Sequence, residues 1–80
     1  MKTIKISLNS IDKVKSFVNA ITQFNFDFDL ISGRYVIDAK SIMGIFSVDL
    51  SRELVLRISS DDVEECKEIR EKLKAFIVED

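Results

Sequence analysis

Residues 40–48 read Lys40-Ser41-Ile42-Met43-Gly44-Ile45-Phe46-Ser47-Val48, with large apolar side chains at 42, 43, 45, 46 and 48. That density behind a serine predicts a short helix, capped by Ser41, with apolar groups on more than one side. On a short helix lying against a sheet, consecutive apolar residues cannot all point inward. At least one of Ile42, Met43 and Phe46 is therefore expected at the surface, where an exposed apolar cluster marks an interaction site.

Upstream of this segment, Arg34 to Ala39 reads as a strand and Ser32-Gly33 as the turn before it. Phe26-Asp27-Phe28-Asp29-Leu30 has period two, which completes a hairpin. Near the start, Thr3 to Leu8 alternates with Ile4, Ile6 and Leu8 on one face, a half-buried strand. Asn9 or Ser10 can cap the next helix, and Asp12 suits its first turn. Ile11, Val14, Phe17, Val18 and Ile21 recur at helical spacing, and Phe24 and Asn25 close that helix. Downstream, Arg52 to Ile58 alternates with Leu54, Leu56 and Ile58 inward. Ser59 or Ser60 is expected to cap the last helix. Asp61, Asp62, Glu64 and Glu65 load its first turns with acid, and Lys72 and Lys74 lie near its other end. Val63, Cys66, Ile69, Leu73, Phe76 and Ile77 form its expected buried stripe. Tyr35 and the six phenylalanines read as core.

The element order is then β-α-β-β-α-β-α in one domain spanning residues 1–80. Four amphipathic strands with helices to cover one face predict an α+β open-faced sandwich. Such strands favour an antiparallel or mixed sheet whose other face is wet.

Composition narrows the function. The chain has 80 residues, 46% of them hydrophobic, with no histidine and one cysteine. The absence of histidine removes histidine-based catalysis and most metal sites. A lone cysteine, Cys66, makes no internal disulfide, which suits a reducing cytoplasm; on its apolar stripe it reads as an inert thiol. A net charge of −2 argues against duplex nucleic acid as a partner. Residues 1–24 nevertheless carry four lysines against one aspartate, and residues 61–80 eight acids against four bases. These read as a basic front end and an acidic last helix, both solvated. No apolar run reaches the ~20 residues of a membrane span, and the alternating N-terminus does not read as a signal peptide. Asp27 and Asp29 share a strand face, but two carboxylates without a third ligand read as a solvated face and not as a metal site. No glycine-rich phosphate loop is present, so no enzyme, cofactor or metal is expected.

Residues 40–48, and Lys40-Ser41-Ile42-Met43-Gly44 above all, resemble the signature of the HPr family, the phosphocarrier proteins of the bacterial sugar phosphotransferase system. The element order is also similar to that of HPr proteins. The resemblance implies a four-stranded antiparallel sheet covered on one face by three helices. It also implies a phosphate-accepting histidine at the start of the first helix, followed by an arginine and a proline. Counted back from Ser41 without gaps, those positions fall on Ser10, Asp12 and Lys13. A serine phosphate is a stable ester without the transfer potential of a phosphorylated imidazole nitrogen. Asp12 would also place a carboxylate where helix N–H groups otherwise hold phosphate.

In many HPr proteins the serine matching Ser41 is phosphorylated by an ATP-dependent kinase, so the resemblance implies a regulatory site there. Ile42 and Met43 match the apolar patch by which HPr proteins dock. The expected function is a non-enzymatic regulatory or adaptor module that binds a protein partner through Ile42, Met43, Phe46, Ser10, Asp12 and Lys13. The alternative is a phosphocarrier with a non-histidine acceptor. Retaining an exposed apolar patch on so small a domain also makes a homodimer an expectation.

Overall fold

Alternation along each strand sorts side chains to two faces, and four such strands pair here into one antiparallel sheet. The computed structural model describes residues 2–78. Its elements are β1 (Lys2–Ile6), α1 (Ile11–Ile21), β2 (Phe28–Ser32), β3 (Tyr35–Asp38), α2 (Ile42–Phe46), β4 (Leu54–Ile58) and α3 (Val63–Lys72). The sheet order is β1-β4-β2-β3, so β4 lies between the two strands that flank α1 in sequence.

Register aligns the apolar positions into rows. Ile4 lies opposite Leu56, Leu56 opposite Leu30, and Leu30 opposite Ile37. This face carries the core. Leu30, Leu54, Leu56 and Ile58 are fully buried with Val14, Phe17 and Ile21 of α1, Ile45 of α2 and Ile69 of α3. Phe17 meets the ring of Phe76 edge-on, with centroids 5.8 Å apart, an arrangement aromatic pairs favour. The opposite face presents two other rows. One runs Thr3, Arg57, Asp29, Asp38 and the other Lys5, Val55, Ile31, Val36. Asp29 accepts from Arg57 Nη2 at 2.7 Å and Arg57 Nε at 3.2 Å. Its carboxylate is thus engaged by a cation across the ladder. At this half-exposed position the pair contributes ~0.2–1 kcal/mol.

Several expectations are corrected in detail. Asp62, not Ser59 or Ser60, caps α3, its carboxylate accepting from Glu65 N at 3.0 Å. Ser59 instead accepts from Asp27 N, tying the exit of β4 to the entry of β2, and Ser60 accepts from Asp62 N. Phe26 and Asp27 precede β2, and Arg34 belongs to the turn before β3. Val63 is exposed at the first turn of α3, and Ile11 and Tyr35 are 62% and 67% exposed. Ile77 is half-buried in an isolated bridge to Ile6, which extends β1 at its outer edge. No helix among the described residues is long and apolar enough to cross a membrane.

Two measurements check this arrangement. Phe17→Ala leaves a cavity beneath Phe76 and lowers stability by about 3–5 kcal/mol, read as a lower midpoint in urea denaturation with an unchanged slope. In the loop after α2, the Ser51 hydroxyl, and then its N–H, hold the Asp49 carboxyl below its ordinary value, with Arg52 adding to this. The ionised carboxylate is the form the fold favours, so its contribution is present above the unfolded value and is lost as pH falls through the folded one. Ser51→Ala therefore moves the Asp49 midpoint upward in a carboxyl NMR titration.

Candidate functional site

The segment from Asp38 to Phe46 turns the chain from the hairpin into α2 through a set of short polar contacts. Asp38 accepts Lys40 N–H on its carboxylate at 3.0 Å and Ser41 N–H on its carbonyl at 3.0 Å. Ser41 is extended, at φ −93° and ψ 104°, and its Oγ accepts from Gly44 N at 3.2 Å. This is the expected cap. A Cβ at Gly44 would lie 3.2 Å from Ser41 Oγ and 3.4 Å from Ser41 Cβ, so a side chain there would make the cap give way by a few tenths of an ångström. Ser41 itself is exposed.

Lys40 has a role that its place in the sequence did not reveal. Its Nζ donates to Phe24 O at 2.8 Å and lies 5.6 Å from the centroid of the Phe28 ring. The ammonium thereby satisfies a carbonyl in the turn after α1 and pins that turn to the start of α2. A lysine beside a serine in sequence reads as a surface charge, and only the fold brings Phe24 to it.

α2 packs against α1 and β3. Of its apolar residues, Ile45 is fully buried and Ile42 half-buried, whereas Met43 is 77% and Phe46 41% exposed. At the start of α1, Ser10 is extended and its Oγ accepts from Lys13 N at 3.1 Å. Ser10, Asp12 and Lys13 are all exposed. The fold thus sets both sequence-derived groups on two helices that pack together. Ile11, expected in the core, is a further exposed apolar side chain at the start of α1.

Chemically this surface offers apolar contact and two cap hydroxyls. Cys66 is buried, with its thiol 3.5 Å from Ser60 O, and lies on α3. The surface's exposed apolar side chains are Met43 and Phe46 on α2 and Ile11 on α1.

Comparison with known proteins gives the chain its relatives. A family model described as the PTS HPr component phosphorylation site matches residues 13–79. No curated protein sequence matches the chain. Among solved structures, HPr-C-His from Thermoanaerobacter tengcongensis is 26% identical, with a TM-score of 0.72 over 91% of this chain and 90% of that one. Crh, the catabolite repression containing protein of Bacillus subtilis, is 25% identical with a TM-score of 0.61, over 95% and 90% of the two chains. That protein is described as a swapped, intertwined dimer. The histidine-containing phosphocarrier protein of Mycoplasma shares the fold at 15% identity, with a TM-score of 0.67 over 98% of each chain. With the family model covering most of the sequence and the same four-stranded sheet and three helices in its neighbours, this chain belongs to the HPr family of phosphocarrier proteins.

Proposed function

We propose that this protein is a regulatory or adaptor member of the HPr family that binds a protein partner and does not relay phosphate from phosphoenolpyruvate. The observation that carries this reading is the pairing of a chain without histidine with an exposed apolar surface, Met43 and Phe46 on α2 and Ile11 on α1. Such side chains cost solubility unless a partner covers them. Ser10, Asp12 and Lys13 stand at the start of α1, where a relay needs an imidazole and an open anion site. Ser10 Oγ is instead spent on Lys13 N, and the adjacent Asp12 carboxylate opposes an incoming phosphate. The chain carries out no catalytic step in this reading. It works in a reducing cytoplasm, where the buried Cys66 thiol stays reduced.

Ser41 is the regulatory hydroxyl in this reading. It is exposed, and a phosphate there would stand beside Met43 on the docking surface, changing its charge by about −1.5 to −2. The cap and the modification are compatible, because the phosphate oxygens would stand at the start of α2 as acceptors for its first N–H groups.

Three results test this. Incubation with enzyme I and phosphoenolpyruvate leaves the intact mass unchanged, and an acid-labile phosphate on the wild-type chain would refute the reading. Incubation with ATP and an HPr kinase adds one phosphate that Ser41→Ala abolishes. Met43→Asp keeps the circular dichroism spectrum and loses the partner that the wild-type chain retains in an affinity pull-down. A partner retained equally by that variant would move the docking surface elsewhere.

A further inference from the structure

β3 pairs with β2 on one side only, so its other edge presents main-chain groups that no neighbouring strand takes up. Which groups these are follows from the hairpin. Gly33 has φ +60° and no described non-glycine residue has positive φ, which makes Gly33-Arg34 a two-residue turn of type II′. Ser32 and Tyr35 flank it as a pair that exchanges both main-chain hydrogen bonds, and such exchange alternates along an antiparallel ladder. Ala39 N–H donates to Phe28 O at 2.9 Å, in the same phase. Tyr35, Ile37 and Ala39 therefore turn their main-chain groups toward β2. Val36 and Asp38 turn theirs outward, and Arg34, in the turn, leads into them. The Asp38 carbonyl already takes Ser41 N–H, and it retains a second lone pair.

We infer that this edge is the interface with a second copy of the chain, β3 pairing antiparallel with its counterpart about a twofold axis at Val36. Main-chain bonds close only where outward-facing residues meet outward-facing residues. In the register centred on Val36, Val36 faces its own counterpart and Arg34 faces Asp38 of the partner subunit, twice over. The two nearest alternatives, centred on Ile37 and on Tyr35, set Arg34 against a lysine or a valine and Asp38 against a valine or a serine, so charge selects the first register.

Three features of the single chain are completed by this pairing. Asp29 and Asp38 lie directly opposite each other across β2 and β3, a destabilising juxtaposition of like charges. Arg57 compensates Asp29 from one side. The interface brings a guanidinium to Asp38 from the other, giving the row Arg57, Asp29, Asp38 and then the partner's Arg34. The apolar row Val55, Ile31, Val36 on the open face continues across the twofold axis into its own repeat, covering Val36, which is 55% exposed in the single chain. On the helix side, Tyr35 and Ile37 line an open cavity of about 770 Å³ together with Ser47 and Val48. The partner's Tyr35 lies opposite Ile37 at its mouth. This interface lies on the sheet edge and does not depend on the docking reading of α2.

Sedimentation equilibrium over a concentration series tests the inference. The wild-type chain shows a reversible monomer–dimer equilibrium. Val36→Pro removes an N–H that the monomer does not use, so it keeps the fold by circular dichroism and gives a monomer. R34E and D38K each set like charges together and raise the dissociation constant by about tenfold or more. Mixed one to one, the two variants associate, because each chain then presents the charge that the other lacks. A wild-type chain that stays monomeric throughout overturns the inference. So does a dimer that Val36→Pro and R34E leave intact, or a mixture of folded R34E and D38K that fails to associate. Because D38K also removes the acceptor for Lys40 N–H, its amide spectrum is compared with that of the wild type. Should it not fold, Val36→Pro and R34E decide the outcome.

Discussion

The sheet depends on β4 reaching its place between β1 and β2. Its inward residues Leu54, Leu56 and Ile58 are fully buried, and it supplies the pairing surface for both neighbours. β1 and β2 are separated in sequence only by α1, yet neither hydrogen-bonds the other. Without β4, α1 would have no continuous floor for Val14, Phe17 and Ile21. The apolar row Ile4, Leu56, Leu30, Ile37 would likewise be broken at its second member. The burial of β4 thus joins several amphipathic pieces into a single core, where each Å² of apolar surface removed from water contributes ~25 cal/mol. The isolated bridge from Ile77 to Ile6 then seals β1 from its outer side.

The functional surface depends on this core through a small number of polar contacts. Lys40 reaches back to Phe24 O and over the ring of Phe28, a fully packed residue of β2. Ser41 and Gly44 then close the first turn of α2 so tightly that a Cβ at Gly44 would intrude on the cap. Ile45 anchors the helix inward, and the same geometry turns Met43 and Phe46 outward. Exposure of those two side chains is therefore built into a rigid corner of the molecule.

Much of the architecture was legible in the residues. Period-two runs located all four strands to within a few residues, and the 3.6 period located α1 and α3. Ser41 was legible as a cap because an apolar run follows it, whereas for α1 the residues offered Asn9 or Ser10 and the fold uses Ser10. The cap of α3 was not, because Ser59, Ser60, Asp61 and Asp62 are four consecutive candidates with similar chemistry. Asp62 takes the role in a fold where Ser59 is used to bind Asp27 N and close the sheet. Ile11, Tyr35 and Val63 all sat on apolar patterns and all proved exposed. Periodicity reports which face a residue shares with its neighbours, and each of these lies at or next to the end of its element, where nothing covers that face.

By itself the sequence determined the element order, the inward faces of the strands, the cap that starts α2, and the absence of an imidazole. These are local properties, set by side-chain period, by capping chemistry and by residue type. Only the tertiary structure decided the strand order β1-β4-β2-β3, the pin from Lys40 to Phe24 and the pairing of Arg57 with Asp29. It also decided which apolar side chains remain in water. Those outcomes join residues far apart in the chain, and their energies arise from burial and contact that do not exist until the strands have been brought together.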